Sequence, residues 1–119
     1  MHPLLWEEHR KILLVMTYRK GDEFAIYGVL RWDDPENLTY TLDDFEVKIV
    51  LKDNYGNIFQ TFSSKSDNTM IVDSRDNSVA RLIGPDITNQ MKGRYFAIIE
   101  LWYGTYKIYT NEVETVYIV

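Results

Sequence analysis

Apolar and polar residues alternate along most of this chain from residue 11 onwards. The clearest case is residues 45–52, in which every second position is a large apolar residue: Phe45, Val47, Ile49 and Leu51. Alternation with a period of two is typical of a strand that buries one face. The residues that follow, 53–57, contain Asp, two Asn and Gly, which is the composition of a hairpin turn. The pattern therefore predicts an antiparallel return over residues 58–62.

The same reading predicts strands along the rest of the chain. We place them at residues 11–18, 23–32, 45–52, 58–62, 69–73, 78–83, 94–103, 106–109 and 112–119, with one helical turn within 85–92. In 23–32, Phe24, Ile26 and Leu30 share one face with Gly28. About eight short strands, separated by turn residues at intervals of roughly ten, indicate an all-β protein, an Ig-like antiparallel β-sandwich.

Residues 93–103 carry the most informative local signal. Gly93 and Tyr95 have the spacing of a tyrosine corner, which closes one end of many Ig-like sandwiches. The strand that follows is apolar on both faces, since Phe96, Ile98 and Trp102 alternate with the row that starts at Tyr95. A strand of this kind is covered on both sides. In a two-layer sandwich, the second cover would be a neighbouring chain, the N-terminal residues or a ligand.

The feature of the composition that most suggests a binding function is the aromatic content, with three tryptophans and nine tyrosines. Such rings are enriched in the centres of protein interfaces. On the returning strand we expect Tyr106 and Ile108 on one face and Lys107 and Tyr109 on the other. Core packing, a protein interface and sugar stacking all remain open for these rings. The candidate interaction residues on the two strands are Phe96, Trp102, Tyr106 and Tyr109.

Residues 1–10 precede the first strand and form a candidate N-terminal arm, with residues 11–119 as the single sandwich domain. Leu4, Leu5 and Trp6 in this arm either pack over one end of the sandwich or dock on a neighbouring subunit. We include them among the interaction candidates.

Composition excludes several classes of function. The chain has no cysteine, so it forms no disulfide and has no thiolate metal ligand or cysteine nucleophile. The net charge of −5 opposes nucleic-acid binding, and no apolar run approaches the length of a membrane span. No export signal is visible, which favours synthesis in the cytoplasm.

No constellation of catalytic residues is recognisable, and we expect no enzymatic activity. The two histidines, His2 and His9, lie in the arm, and no nucleophile elbow accompanies them. Most carboxylates fall in expected loops, where they favour solubility and turns. A calcium site is a minor alternative, with Asp33, Asp34, Asp73 and Asp76 as its candidate ligands. We predict no cofactor and no metal.

From residue 19 onwards the chain resembles the Ig-like N-terminal domain of phage baseplate upper proteins and related phage tail and fibre proteins. Five segments carry the resemblance and follow the order of that family. They are Arg19 to Asp22 with Phe24; Leu38 and Thr39 with residues 42–47; residues 52–57; residues 83–93 with the Gly93-x-Tyr95 motif; and Trp102 to Gly104. The resemblance covers about a hundred residues and implies no catalytic residue. Larger members continue into a linker and a C-terminal module, whereas this sequence ends at Val119.

The resemblance implies a structural component of a tailed-phage virion, in the tail, baseplate, fibre or head decoration. Such a protein is made in the host cytoplasm, contacts other virion proteins and forms homo-oligomers. The alternative is a carbohydrate-binding β-sandwich used in host attachment, with exposed Trp or Tyr rings as stacking surfaces.

Overall fold

The computed structural model describes residues 15–30 and 41–119, which form a two-layer all-β sandwich. The described elements are β1 (Val15–Tyr18), β2 (Phe24–Val29), a 3-10 turn (Leu42–Asp44), β3 (Glu46–Asp53), β4 (Ile58–Ser63), β5 (Ile71–Asp73), β6 (Ser78–Ile83), α1 (Pro85–Thr88), β7 (Gly93–Tyr103) and β8 (Tyr106–Ile118). The predicted fold class is confirmed. The predicted arm at residues 1–10 lies outside the described residues.

The strands form a five-stranded sheet in the order β1-β8-β7-β3-β4 and a three-stranded sheet in the order β2-β6-β5. This division matches that of Ig-like domains, whose sheets contain the strands G-F-C-C′ and B-E-D respectively. Among the described residues, β1 and β8 form the one parallel pair, and the other strand pairs are antiparallel. The parallel pair departs from the purely antiparallel sandwich that the sequence predicts.

The core lies between the two sheets and consists of the inward-facing row of each strand. Phe24, Ile26 and Leu30 are buried as the alternation predicts, and so are Val47, Ile49 and Leu51. Burying each large aliphatic side chain contributes roughly 1.5–3 kcal/mol to the stability of the fold. Gly28 faces the same core at a point where β2 closely approaches the opposite sheet.

The local predictions for two turns and one corner are confirmed. The β3–β4 turn contains Gly56 at a φ of 85°, a conformation that favours glycine. Residues 85–88 form the helical turn α1. In the tyrosine corner, the backbone N–H of Lys92 donates to the Tyr95 hydroxyl at 3.0 Å, and Gly93 has a φ of 88°.

The last hairpin differs from its prediction in one respect. Residues 106–118 form a single strand, β8, rather than two strands separated near residue 110. β8 stays paired with β7 along its whole length, although the register shifts at two points. One shift lies opposite Ala97 and Ile98, and the other opposite Leu101 and Trp102. Each is a bulge that adds one residue on β8 and lets the ladder continue beyond it.

Candidate interaction surfaces

Phe96 and Trp102 both lie on the outer face of the five-stranded sheet. They belong to the outward row of β7, with Ile98 between them and Val50 of β3 opposite Ile98. Val50 is only 3% exposed, and the three β7 side chains are half-buried. The structure therefore brings together the apolar row that the sequence predicts on this strand.

Polar side chains surround Trp102, at one end of this row. Glu100 projects from the same face, yet it is only 8% exposed. Its Oε1 accepts a hydrogen bond from Trp102 Nε1 at 2.9 Å, and Lys107 Nζ lies 3.5 Å from its Oε2. The Lys48 ammonium lies 4.2 Å from the centre of the Trp102 ring. The Trp102 N–H thus has a carboxylate acceptor, and the Trp102 ring has a cation over one face. Both contacts come from the chain itself.

Tyr106 and Tyr109 occupy different environments. Tyr106 lies beside the β7–β8 turn and is 73% exposed. Tyr109 is half-buried and packs against the core, and burial raises the pKa of its hydroxyl while a hydrogen bond with Asn111 opposes that rise. The two therefore do not form one surface with Phe96 and Trp102.

The expected division of faces on β8 is wrong. Lys107 pairs with outward-facing Trp102, whereas Tyr109 pairs with inward-facing Leu101. The bulge at this point adds one residue, so that Lys107 and Tyr109 lie on opposite faces although they are two positions apart. Leu4, Leu5 and Trp6, the other interaction candidates, lie outside the described residues.

The outer face of the three-stranded sheet is an apolar surface that the sequence analysis did not identify. We call it the B-sheet face and define it by six outward-facing residues: Ala25, Tyr27, Val29, Ile71, Ala80 and Leu82. Tyr27, Ala80 and Ile71 form one row across β2, β6 and β5, and Ala25 pairs with Leu82. Tyr27 is 53% exposed, Leu82 52% and Ile71 66%. None of the six side chains carries a charge, and the cross-strand register places them on one face of the sheet.

One signal in the sequence indicates this face. Residues 24–30 contain no charged residue, so both faces of the strand are apolar. The alternation in β2 does not show which face is exposed, because its exposed positions are as apolar as its buried ones.

The described part of the chain contains several carboxylate side chains that are candidate metal ligands. Within it, no cluster of three or more His, Asp or Glu side chains is arranged to hold a metal. Of the calcium candidates, Asp73 bonds Arg75 and Asp76 accepts a hydrogen bond from Ser78, while Asp33 and Asp34 lie outside the described residues. No helix in residues 15–30 or 41–119 is long and apolar enough to cross a membrane.

No model of a known protein family matches this chain, and no curated protein matches it in sequence.

Proposed function

We propose that this protein is a non-enzymatic structural component of a tailed-phage virion that acts through protein–protein contacts. Two lines of argument support the proposal: the resemblance of the chain from residue 19 onwards to the Ig-like domain of phage baseplate upper proteins, and the B-sheet face. Its partners are other virion proteins and further copies of the chain, and its location is the virion after synthesis in the host cytoplasm.

The B-sheet face is the observation that carries the protein–protein part of the proposal. An antiparallel sheet with one face in water normally shows polar residues there. Here the water-exposed positions of β2 are Ala25, Tyr27 and Val29, and those of β5 and β6 add Ile71 and Leu82, with the charged Asp73 at the β5 end of the row that contains Val29. A contiguous apolar surface of this kind marks a site of association. Tyr27 suits the centre of such a site because its ring buries apolar area while its hydroxyl remains able to form a hydrogen bond.

The backbone beneath this face suits a structural role. β2, β6 and β5 are held by continuous antiparallel pairing, and their inward side chains Ile26, Val79 and Ile83 are fully buried. A rigid face loses little conformational freedom on association, so more of the apolar burial appears as binding energy. The outer face of the five-stranded sheet is a weaker candidate, because Glu100, Lys107 and Lys48 already surround Trp102.

The test is incorporation into particles. Particles would be purified by density gradient from cells that carry the gene, and the chain would be quantified in them by mass spectrometry against the major particle proteins. We expect a fixed copy number per particle. Absence of the chain from particles that are otherwise intact would reject the virion proposal.

Variants of the B-sheet face connect this test to the structure. Ile71→Lys with Leu82→Lys places two charges on the face, and we expect incorporation to be lost while the circular dichroism spectrum is retained. The matched control is Ile58→Lys with Ile108→Lys, which adds two charges at positions that are 62% and 52% exposed on the other sheet. Incorporation of the double variant at the wild-type copy number would show that the B-sheet face is not the contact.

A further inference from the structure

An open cleft of about 510 Å³ lies at the end of the sandwich that contains the tyrosine corner. The β3–β4 turn forms one wall with Asp53 and Tyr55. The beginning of β7 and the end of β8 form the other with Lys92, Arg94 and Tyr117. Arg94 and Tyr117 are direct cross-strand partners, so their side chains project from the same face.

Hydrogen bonds fix both walls. Asp53 Oδ1 accepts from the backbone N–H groups of Tyr55 and Asn57, each at 2.9 Å, and holds the turn in place. The hydrogen bond from the Lys92 N–H to the Tyr95 hydroxyl holds the start of β7. The cleft is therefore formed by the folded chain itself, and a ligand would not need to order either wall.

The groups that line the cleft have unused binding capacity. The Tyr55 ring is 87% exposed and the Tyr117 ring 41% exposed. The ion pairs among the described residues involve neither Lys92 nor Arg94, and both cations are exposed. Asp53 Oδ2 accepts no hydrogen bond from the described residues, because the turn uses only Oδ1.

We propose that this cleft binds an anionic saccharide, a sugar that carries a carboxylate or a phosphate. A pyranose ring would stack on Tyr55 or Tyr117, as apolar sugar faces do on aromatic rings. Arg94 would bind the anionic group through its paired N–H donors, with Lys92 as a second cation. Asp53 Oδ2 would accept a sugar hydroxyl. This role goes beyond the proposed structural function and uses a different surface, far from the B-sheet face.

Two observations favour a saccharide over a polynucleotide, whose bases also stack on tyrosine. The chain carries a net charge of −5, and Asp53 places a carboxylate inside the cleft. Both would repel a continuous phosphate backbone. A sugar with one anionic group and several hydroxyls could use every group in the cleft: the two cations for the anion, the Asp53 carboxylate for a hydroxyl, and the two tyrosine rings for stacking.

The experiment is a titration of the full chain followed by ¹H–¹⁵N NMR. The probes are two matched pairs, each with one anionic group on a single sugar: galacturonate with its methyl ester, and mannose 6-phosphate with mannose. We expect saturable shifts at the amides of Gly93, Arg94 and Tyr117 with an anionic probe, and at least about tenfold weaker binding of its neutral partner. The two pairs distinguish a carboxylated from a phosphorylated ligand. A dinucleotide serves as the polynucleotide probe.

Variants assign the binding to the cleft. Arg94→Gln and Tyr55→Ala each change an exposed side chain and should weaken binding about tenfold without loss of the folded spectrum. Arg75→Gln is the matched control, because it removes the same charge from the β5–β6 turn, at the opposite end of β6 from the tyrosine corner.

Three results with the sugar probes would overturn the proposal, and a fourth would come from the dinucleotide. The first is an absence of saturable shifts at the cleft with every anionic probe, and the second is equal binding of the neutral partners. The third is an equal loss of binding in Arg75→Gln and Arg94→Gln, which would indicate attraction by net charge alone. Tighter binding of the dinucleotide than of the sugars would reassign the cleft to nucleotides.

Discussion

The backbone N–H of Tyr27 on β2 donates a hydrogen bond to the carboxylate of Glu114 on β8, and this bond links the two sheets of the sandwich. Glu114 is only 6% exposed. It projects from β8 towards β2, which is an edge strand of the three-stranded sheet among the described residues, and satisfies a backbone donor that no described strand reaches. An edge donor left unpaired at this buried point would cost free energy, which the carboxylate avoids.

The position of Glu114 predicts a pH dependence of stability. Burial raises the pKa of its carboxyl above the ordinary value of 4.5, although the Tyr27 N–H acts in the opposite direction. The folded state therefore binds the proton more tightly than the unfolded state. The free energy of unfolding contributed by this group is greatest below pH 4.5 and falls as the pH rises through the raised pKa.

Glu114→Gln should remove this decline. Glutamine keeps the oxygen that accepts from Tyr27 and has no charge to bury, so we expect the variant to be more stable than the wild type at neutral pH. Urea unfolding from pH 4 to 8 measures the effect, and Glu112→Gln controls for the loss of one charge on the same strand. A pH profile of Glu114→Gln that runs parallel to that of Glu112→Gln would contradict the assignment.

Gly28 predicts a second effect at the contact between the sheets. A Cβ added at this position would lie 2.6 Å from Cδ1 of Ile99 and 2.9 Å from Cγ1 of Val113. Gly28→Ala should therefore destabilise the fold by about 1–3 kcal/mol. Ile99→Val removes the nearest of these atoms, so that the double variant should lose less stability than the sum of the two single variants. Strict additivity in this double-mutant cycle, measured by urea unfolding, would show that the contact is relieved elsewhere.

Local features of this fold could be predicted from the sequence because they depend on neighbouring residues. The alternation at residues 45–52 is confirmed by the burial of Val47, Ile49 and Leu51. The turn after Asp53 and the corner at Tyr95 are confirmed by their hydrogen bonds. In each case a few adjacent side chains determine the conformation.

Features that depend on register or on distant pairing could not be predicted. The alternation assigns faces correctly only until a bulge adds a residue, which is why the expectation that Lys107 and Tyr109 share a face is wrong. The parallel pairing of β1 with β8 joins residues about a hundred positions apart, and no local pattern specifies it. The candidate surfaces depend on the same long-range geometry, since Tyr27 and Ile71 become neighbours only through β6.

The tyrosine corner predicts a loss of stability when its hydroxyl is removed. Tyr95 is 6% exposed, and its hydroxyl accepts from the Lys92 N–H. Tyr95→Phe keeps the ring, which packs 5.3 Å from that of Phe59, and leaves the donor unpaired. We expect a cost of about 1–2 kcal/mol in urea unfolding.

The control for the corner is Tyr103→Phe. Tyr103 lies at the other end of β7 and is 60% exposed, so the loss of its hydroxyl should change stability by no more than about 0.5 kcal/mol. Equal stability of Tyr95→Phe and Tyr103→Phe would mean that water replaces the corner hydrogen bond at no cost.

Two arginine–aspartate pairs on the three-stranded side of the sandwich should differ sharply in their effects on stability. Arg81 Nε donates to Asp67 Oδ2 at 2.8 Å, and the two side chains are 16% and 15% exposed. The Arg81 guanidinium also lies 4.3 Å from the centre of the Phe62 ring. Arg75 bonds Asp73 at 3.3 Å, but its side chain is 89% exposed. Arg81→Gln should cost about 2 kcal/mol, because it leaves a half-buried carboxylate without its partner, whereas Arg75→Gln should have little effect.

The pH dependence of the Arg81→Gln effect provides the check. Burial alone would raise the pKa of Asp67, but hydrogen bonds from Thr69 and Arg81 together with the Arg81 charge outweigh it and hold the pKa below the ordinary value of 3.8. This group therefore stabilises the fold above pH 3.8, and that contribution is lost as the pH falls through the lowered pKa. The difference in unfolding free energy between the wild type and Arg81→Gln should thus be largest above pH 3.8 and shrink below it. A difference that stays constant down to pH 2 would indicate that Arg81 stabilises the fold through its contact with Phe62 rather than through Asp67.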